Sequence, residues 1–351
     1  LVQQFLTESF LVVFFAFIIS LLLVFLSLSW FNELADKKIS IPFSNPYFWL
    51  LNFAFIIITS LLAGAYPSFY LSAFQPVKVL KGTIRLGRFA SLPRKVLVVV
   101  QFAVSVILII GTIVVYKQIK FAQNRPIGYN REGLITIPKS DPNYEGKIDL
   151  LRNELLNTGM ITDMELSSGP LTQISNNSSD FDWIGKQPRE YSFATTNVSY
   201  GFGKMVGWHF IAGRDFSRSF ATDTNKIIIN ETAAKDMAFK DPIGQFVKTA
   251  GGTKTVQIVG VIKDMIMGSP YEPEKRAIFF LDVKYQSASQ NDIKIKPTVS
   301  ANEALPKIEA VFKSIVPSAG FDYKFVDEEY AQKFSQEQRI GKLSTFFAIL
   351  A

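Results

Sequence analysis

The stretch VLVVVQFAVSVILIIGTIVVY, residues 96–116, is 21 residues long and carries no charged side chain. Two earlier runs, residues 9–32 and 40–77, are also free of charge, and the apolar centre of the second is 47–73. About 20 apolar residues at about 1.5 Å rise cross a hydrocarbon layer about 30 Å thick. The three runs therefore predict three transmembrane helices, and buried helices of a soluble protein are the less favoured explanation.

Both ends of the chain indicate a longer protein. The first residue is Leu1 rather than Met, and we expect residues 1–8 to end a cytoplasmic segment. Residues 343–351 (LSTFFAILA) are apolar but too few to cross a bilayer. We expect residues 339–351 to begin a truncated transmembrane helix.

The net charge of +7 lies mainly beside the apolar runs, which argues against a nucleic-acid-binding surface. The linker at 78–95 holds six basic residues and no acid: Lys78, Lys81, Arg85, Arg88, Arg94 and Lys95. Because short loops rich in Lys and Arg stay in the cytoplasm, this linker is predicted to be cytoplasmic and residues from 117 onward external. Lys117, Lys120 and Arg125 favour the opposite orientation, with three charges against six.

Residues 117–338 carry 27 basic and 27 acidic side chains and resemble an ordinary globular domain in composition. Short β-branched stretches between turn residues predict strands at 134–138, 162–167, 192–199, 226–229, 255–262, 277–283 and 292–295. Apolar spacing predicts helices at 147–157, 230–238, 301–316 and from 327 onward. Since strands and helices do not alternate strictly, the predicted fold class is α-helical spans plus a two-lobed α+β domain.

Two segments are predicted to connect this domain to the membrane. Residues 327–338 are polar and helix-compatible and run into the apolar tail, so they predict a stalk helix continuous with the next span. The consecutive acids 327–329 suit the first turn of a helix, where the dipole favours negative charge. Residues 116–123 would form the second stalk, and Asn230 is the predicted N-cap of a helix within the domain.

The residue inventory argues against an enzyme. The chain has no cysteine and one histidine, His209, which disfavours thiol chemistry, a zinc site and a Ser-His-Asp triad. It lacks the G-x-x-x-x-G-K-[ST] motif of P-loop ATPases. The glycines of GFGKMVG, residues 201–207, predict a turn rather than a phosphate cradle. We therefore expect no catalytic, cofactor-binding or metal-binding residue.

Several strings resemble MacB/FtsX-type ABC transporter permeases, in particular the two-module permeases of Bacteroidetes. Residues 65–82 (AYPSFYLSAFQPVKVLKG) resemble the end of the first module, and residues 91–137 resemble the span that enters the second periplasmic core domain. The inserted lobe of that domain is resembled by FIAGRDFS (210–217), IIINETAAKDM (227–237), DPIGQFV (241–247) and VQIVGVIKDM (256–265). Residues 321–351 resemble the exit stalk and the next span.

The resemblance implies an order of segments along the chain. This order is a cytoplasmic end (1–8), two transmembrane helices ending the first module (9–77), the basic linker (78–95), a transmembrane helix (96–116), a MacB-like periplasmic core domain with stalks (117–338, inserted lobe about 205–290) and the truncated helix (339–351). It also implies a multi-pass protein of the bacterial inner membrane with its large domain in the periplasm.

The resemblance also implies partners. A separate ABC ATPase subunit would bind ATP, so this chain would need no cofactor of its own. Pairing as a homodimer or with a second permease is expected, as are contacts with membrane lipid and with a periplasmic adaptor or substrate. Nucleic acid is not an expected partner.

We therefore expect a permease subunit that couples ATP hydrolysis by its partner to motion of a periplasmic domain, for export or envelope remodelling. A membrane-tethered extracytoplasmic sensor that signals inward is the alternative, and a membrane-bound hydrolase is disfavoured by the inventory. Besides the basic linker, the residues expected to carry coupling lie at the stalks: Tyr116, Lys117, Lys120, Arg125, Gln332, Gln338 and Arg339.

Overall fold

The computed structural model describes residues 2–72, 92–139, 142–249 and 251–350. The chain divides into two compact units, Leu1–Lys117 with Glu337–Ala351, and Gln118–Gln336. Helices of the described residues are α1 Val2–Ala35, α2 Pro46–Ser72, α3 Leu92–Gln123, α4 Ile148–Asn157, α5 Phe202–Val206, α6 Glu231–Met237, α7 Ala301–Ile315, α8 Val326–Gln332 and α9 Ser335–Leu350.

Long apolar helices dominate the first unit. Within the described residues, three helical stretches are long and apolar enough to cross a membrane: Gln3–Ala35, Pro46–Ala65 and Lys95–Gln123. The first and third contain the predicted runs 9–32 and 96–116, and the second covers residues 47–65 of the predicted apolar centre 47–73. Their apolar side chains are largely exposed, as expected for groups that face lipid rather than a protein core.

The α1–α2 hairpin has polar contacts at its turn and a close approach of the two helices at one glycine. The Asn32 side chain donates to the Ile39 carbonyl at 2.7 Å and accepts from the Ile39 amide at 3.0 Å. A Cβ added to Gly64 of α2 would lie 3.0 Å from the Ser9 hydroxyl oxygen of α1. Gly64 therefore lets the two helices approach closely, as small residues do in membrane bundles.

Replacing Gly64 with Leu should destabilise this hairpin by about 1–3 kcal/mol, because the larger side chain overpacks the contact with Ser9. The measurement is thermal unfolding of the detergent-solubilised chain. Gly111→Leu in α3 is the matched control, since a Cβ there meets nothing within 4 Å. Equal midpoints for the two variants would contradict the close packing of α1 on α2.

The second unit is built on one mixed sheet. In the described residues the strand order is β12-β1-β11-β2-β5-β10-β7-β9-β8-β4, with β3 paired to β5 and β6 paired to β9. The strands are β1 Leu134–Pro138, β2 Ile161–Ser167, β3 Asn177–Ser178, β4 Phe181–Trp183, β5 Phe193–Val198, β6 Phe210–Gly213, β7 Lys226–Asn230, β8 Phe246–Thr249, β9 Lys254–Ile262, β10 Ala277–Leu281, β11 Gln290–Ile295 and β12 Lys324–Phe325.

All seven predicted strands are present, with bounds that differ by at most two residues. The five strands that were not predicted, β3, β4, β6, β8 and β12, are two to four residues long. Such short stretches show no clear alternation, and tertiary pairing rather than local pattern makes them strands. The predicted α+β fold with two lobes is confirmed.

The sheet has two halves with separate cores. In the first half, β12, β1, β11 and β2 are antiparallel, and α4 and α7 pack on one face through side chains such as Leu151 and Phe312. In the second half, β5, β10, β7, β9, β8 and β4 form a mixed sheet covered by α6 through Ala233 and Met237. This second half begins upstream of residue 205, because β3, β4 and β5 belong to it.

Candidate functional site

The loop between β9 and β10, residues 264–275, contacts both ends of the second unit: the segment that follows α3 and the segment that precedes α9. We call it the junction loop. The segment that follows α3, residues 124–131, is the entry segment, and the last helix of the unit, α8, is the exit helix. The Ile266 amide donates to the Ile127 carbonyl at 3.0 Å, which joins the entry segment to the loop backbone.

Arg125 fixes the entry segment to the junction loop. Its guanidinium donates to the carbonyls of Pro270 at 2.7 Å and Glu272 at 2.9 Å, and it pairs with the Glu274 carboxylate at 2.5 Å. The Arg125 side chain is 17% exposed. The pKa of the Glu274 carboxyl is lowered by its own backbone amide and by Arg125. One side chain thus holds three successive points of the loop.

Lys333, directly after the exit helix, fixes the other connection. Its ammonium donates to the carbonyls of Thr172, Met267 and Gly268. Burial lowers the pKa of this lysine, and Glu329 opposes that effect. The ring of the next residue, Phe334, is buried and packs on Tyr330 and Tyr271 at centroid distances of 5.5 and 5.8 Å.

These contacts correct the expectation of an uninterrupted stalk helix. The exit helix ends at Gln332, and α9 begins at Ser335. Lys333 and Phe334 form a turn between them, because the lysine reaches loop carbonyls and the phenylalanine is buried beside the junction loop. The helical reading of residues 327–332 is confirmed, with the acids 327–329 in the first turn.

A second set of contacts joins the junction loop to α6. The Asp264 carboxylate accepts from the Thr232 amide at 2.9 Å, the Thr232 hydroxyl at 2.8 Å and the Asn230 side chain at 2.7 Å. Asn230 also accepts from the Ala233 amide at 3.0 Å, so the predicted N-cap is confirmed. The first residue of the loop is therefore anchored in the second half of the sheet.

Gly128 of the entry segment packs against the backbone of Asp264. Its φ is +81°, and an added Cβ would lie 2.1 Å from the Asp264 carbonyl oxygen. Only glycine fits, because a side chain would both strain the backbone and overlap the loop.

Replacing Gly128 with Ala should strongly lower the free energy of unfolding, because it disrupts the contact between the entry segment and the junction loop. The left-handed backbone costs about 1 kcal/mol for a non-glycine residue, and the overlap with Asp264 adds about 1–3 kcal/mol. Gly146→Ala is the matched control, since Gly146 has φ +72° but open space around it. The measurement is denaturant unfolding of both variants. A similar loss of stability in the two would show that the contact with Asp264 contributes nothing.

The predicted stalk residues are distributed unevenly. Arg125 lies in the junction. Tyr116, Lys117 and Lys120 are exposed on α3, Gln332 ends the exit helix, and Gln338 and Arg339 lie on α9. Arg339 pairs with Asp36 at 3.0 Å, within the first unit. Of the basic linker, Arg94 and Lys95 lie in the first turn of α3, whereas Lys78, Lys81, Arg85 and Arg88 lie outside the described residues.

His209 and residues 201–207 were also singled out in the sequence. His209 is exposed, and its Nδ1 lies 3.1 Å from the Gly207 carbonyl. The GFGKMVG stretch, predicted as a turn, forms the five-residue helix α5, which ends at Gly207 in a left-handed conformation. The segment is helical rather than a simple turn because Phe202 and Val206 are both buried, and a helix brings residues four apart onto one face.

Comparisons with known proteins identify one family. A family model described as the MacB-like periplasmic core domain matches residues 97–311. A search of the curated proteins finds no match. The periplasmic region of MacB from Actinobacillus actinomycetemcomitans is similar at 15% identity and a TM-score of 0.41, over 60% of this chain and 96% of that one. The extracellular domain of the transporter YknZ from Gram-positive bacteria is similar at 12% identity and a TM-score of 0.39, over 54% and 96%.

Proposed function

Because the chain belongs to the family of the MacB-like periplasmic core domain, found in MacB/FtsX-type ABC transporter permeases, we propose that it couples ATP hydrolysis by a separate subunit to motion of its own extracytoplasmic domain. The family is the permease component of such transporters and works with a separate ABC ATPase. The coupled motion would serve export or envelope remodelling. The observation that carries the proposal is the convergence of both chain connections on one loop.

The junction suits mechanical coupling because its contacts are specific and cross between segments. Arg125 holds the entry segment to the loop, and Lys333 holds the end of the exit helix to the same loop. A displacement of either connection would therefore move the loop backbone rather than slide past it. Asp264 would carry that displacement to Asn230 and Thr232 in the second half of the sheet.

The proposal includes a location and further partners. The six basic residues of the linker support a cytoplasmic position for residues 78–95, and hence a multi-pass protein of the bacterial inner membrane with a periplasmic domain. Pairing with a second copy or a second permease, and contact with a periplasmic adaptor or substrate, complete the proposed assembly.

The test uses the full-length protein purified with its ATPase. Residues 1–351 contain no cysteine, so after any cysteine elsewhere in the full-length protein is replaced by Ser, Lys342→Cys on α9 and Lys313→Cys on α7 place two spin labels. ATP and Mg²⁺ should change the distance between the labels, and an ATPase variant that binds no ATP should not. Failure of the ATPase to co-purify, or a distance that ignores ATP but responds to an external ligand, would instead support a tethered sensor.

A further inference from the structure

The two halves of the sheet meet at a narrow seam between β2 and β5. In the described residues these strands share one register pair, Ser167 with Val198. On either side, β11 and β2 share six register pairs, and β5 and β10 share five. A strand pair with so few ladder contacts resists bending less than its neighbours, because each ladder bond contributes separately.

Most of the apolar packing is also divided between the two halves. One cluster lies in the first half and includes Leu155, Ile293 and Phe312, and another lies in the second half and includes Ile229 and Val256. A third cluster lies beside α5 and brings residues of the second half against Leu134 and Val326. Apart from this shared cluster, each half has a core of its own, so a movement of one half against the other would be confined to the seam and the packing beside α5.

Buried polar contacts cross the seam where the ladder is weak. The Ser199 hydroxyl donates to the Glu165 carboxylate and accepts from the Leu166 amide at 2.8 Å. Glu165 and Ser199 are 3% and 2% exposed. A Cβ added to Gly201 would lie 2.1 Å from a carboxylate oxygen of Glu165. Glu165 of the first half thus contacts two residues of the second half, Ser199 and Gly201.

Glu165 is held in place from its own half. Arg152 of α4 lies 3.7 Å from its carboxylate and also pairs with Asp163 at 2.6 Å. The orientation of the Glu165 side chain is therefore set by the first half, while its hydrogen-bond donor comes from the second. A contact of this kind responds directly to a rotation of one half against the other.

We propose that the β2–β5 seam is a hinge between the two halves of the domain, and that Glu165 is a positioning residue that holds the hinge closed through Ser199. The hinge deepens the proposed function, on which its biological role rests, because it would be the place where movement of the junction becomes a change of domain shape. Two-state elements of this type transmit motion when the contact that selects one state can be broken.

The test needs no ATPase and uses the chain in detergent. Lys235→Cys on α6 and Lys313→Cys on α7 place one spin label on each half, at side chains 70% and 65% exposed. Ser199→Ala removes the hydroxyl that bridges the seam. We expect a broader distribution of label distances and about tenfold faster hydrogen exchange at the Leu166 amide, which loses its acceptor.

Two further variants complete the design. Glu165→Gln keeps an oxygen that accepts from Ser199 and should stay close to the parent distribution. Ser287→Ala, at an exposed serine, is the control. If Leu166 exchanges faster in Ser199→Ala but the distances do not change, the seam is not a hinge. If neither quantity changes, Ser199 does not hold the seam. Both results would leave the ATP-dependent test on Lys342 and Lys313 unaffected, so the two proposals fail separately.

Discussion

Replacing Arg125 with Ala should release the junction loop, with hydrogen exchange at residues 265–275 faster by about two orders of magnitude. The guanidinium donates to two carbonyls and one carboxylate while 83% of its side chain is covered, as its exposed fraction is 17%. Hydrogen bonds to charged groups contribute about 1.5–3 kcal/mol each, and the partners left behind cannot all reach water. The measurement is hydrogen exchange followed by mass spectrometry on the whole chain.

Lys275→Ala is the control for this change. Lys275 lies in the same loop and pairs with Glu272, but the two side chains are 54% and 53% exposed. Exposed ion pairs contribute about 0–1 kcal/mol, so exchange should rise by a few-fold at most. In the complex with the ATPase, Arg125→Ala should also reduce the ATP-dependent change in label distance. A loop that stays protected after loss of Arg125 would remove the basis for the proposed coupling.

Replacing Asp292 with Asn should stabilise the protein by up to about 4 kcal/mol at pH 8, and by much less at pH 4. Asp292 is fully buried, and burial raises the pKa of its carboxyl from 3.8 to about 7, although the hydroxyls of Ser167 and Thr136 donate to it at 2.6 and 3.0 Å. The folded protein thus binds this proton more tightly than the unfolded chain. Stability due to Asp292 is present below pH 3.8 and is lost as the pH rises through about 7.

The measurement is denaturant unfolding of both proteins across this pH range, with the difference in unfolding free energy plotted against pH so that other groups cancel. Asp292→Ala separates charge from packing. It removes the same titration but leaves Ser167 and Thr136 without their acceptor, so its stability should be lower than that of the Asn variant at every pH. A difference between wild type and Asn variant that does not vary with pH would show that the carboxyl ionises normally.

Local patterns in the sequence were sufficient for the longer helices and strands but not for the contacts of the junction loop. Charge-free runs predict the long apolar helices because the length and composition of a helix are local properties, and the Asn230 cap depends on a neighbour three residues away. Lys333 could not be identified in this way. It stands in a polar segment where a lysine normally faces water, and its carbonyl partners belong to Thr172, Met267 and Gly268, at least 65 residues distant.

Buried acids were missed for a related reason. Glu165 and Asp292 are direct partners in the register of β2 and β11, on the face opposite the apolar side chains Met164 and Ile293. Alternation predicts that this face is exposed, yet both residues are at most 3% exposed. Residues distant in the sequence cover this face, so the sequence of the two strands alone does not predict that it is buried. Gly128, by contrast, carried a usable signal, since an isolated glycine between Ile127 and Tyr129 is typical of a close backbone approach.

The narrow seam has a consequence for how such a protein can diversify. β2 ends at Ser167 and β11 begins at Gln290, and these two residues face each other in an antiparallel ladder, as the last pair of a hairpin would. Residues 168–289 therefore form an insertion at the tip of that hairpin, and both ends of the insertion lie side by side. A change in the length of this insertion alters the entropy of loop closure only slightly, because Ser167 and Gln290 are already held next to each other. Insertions and deletions within residues 168–289 can thus leave the pairing of β2 with β11 unchanged.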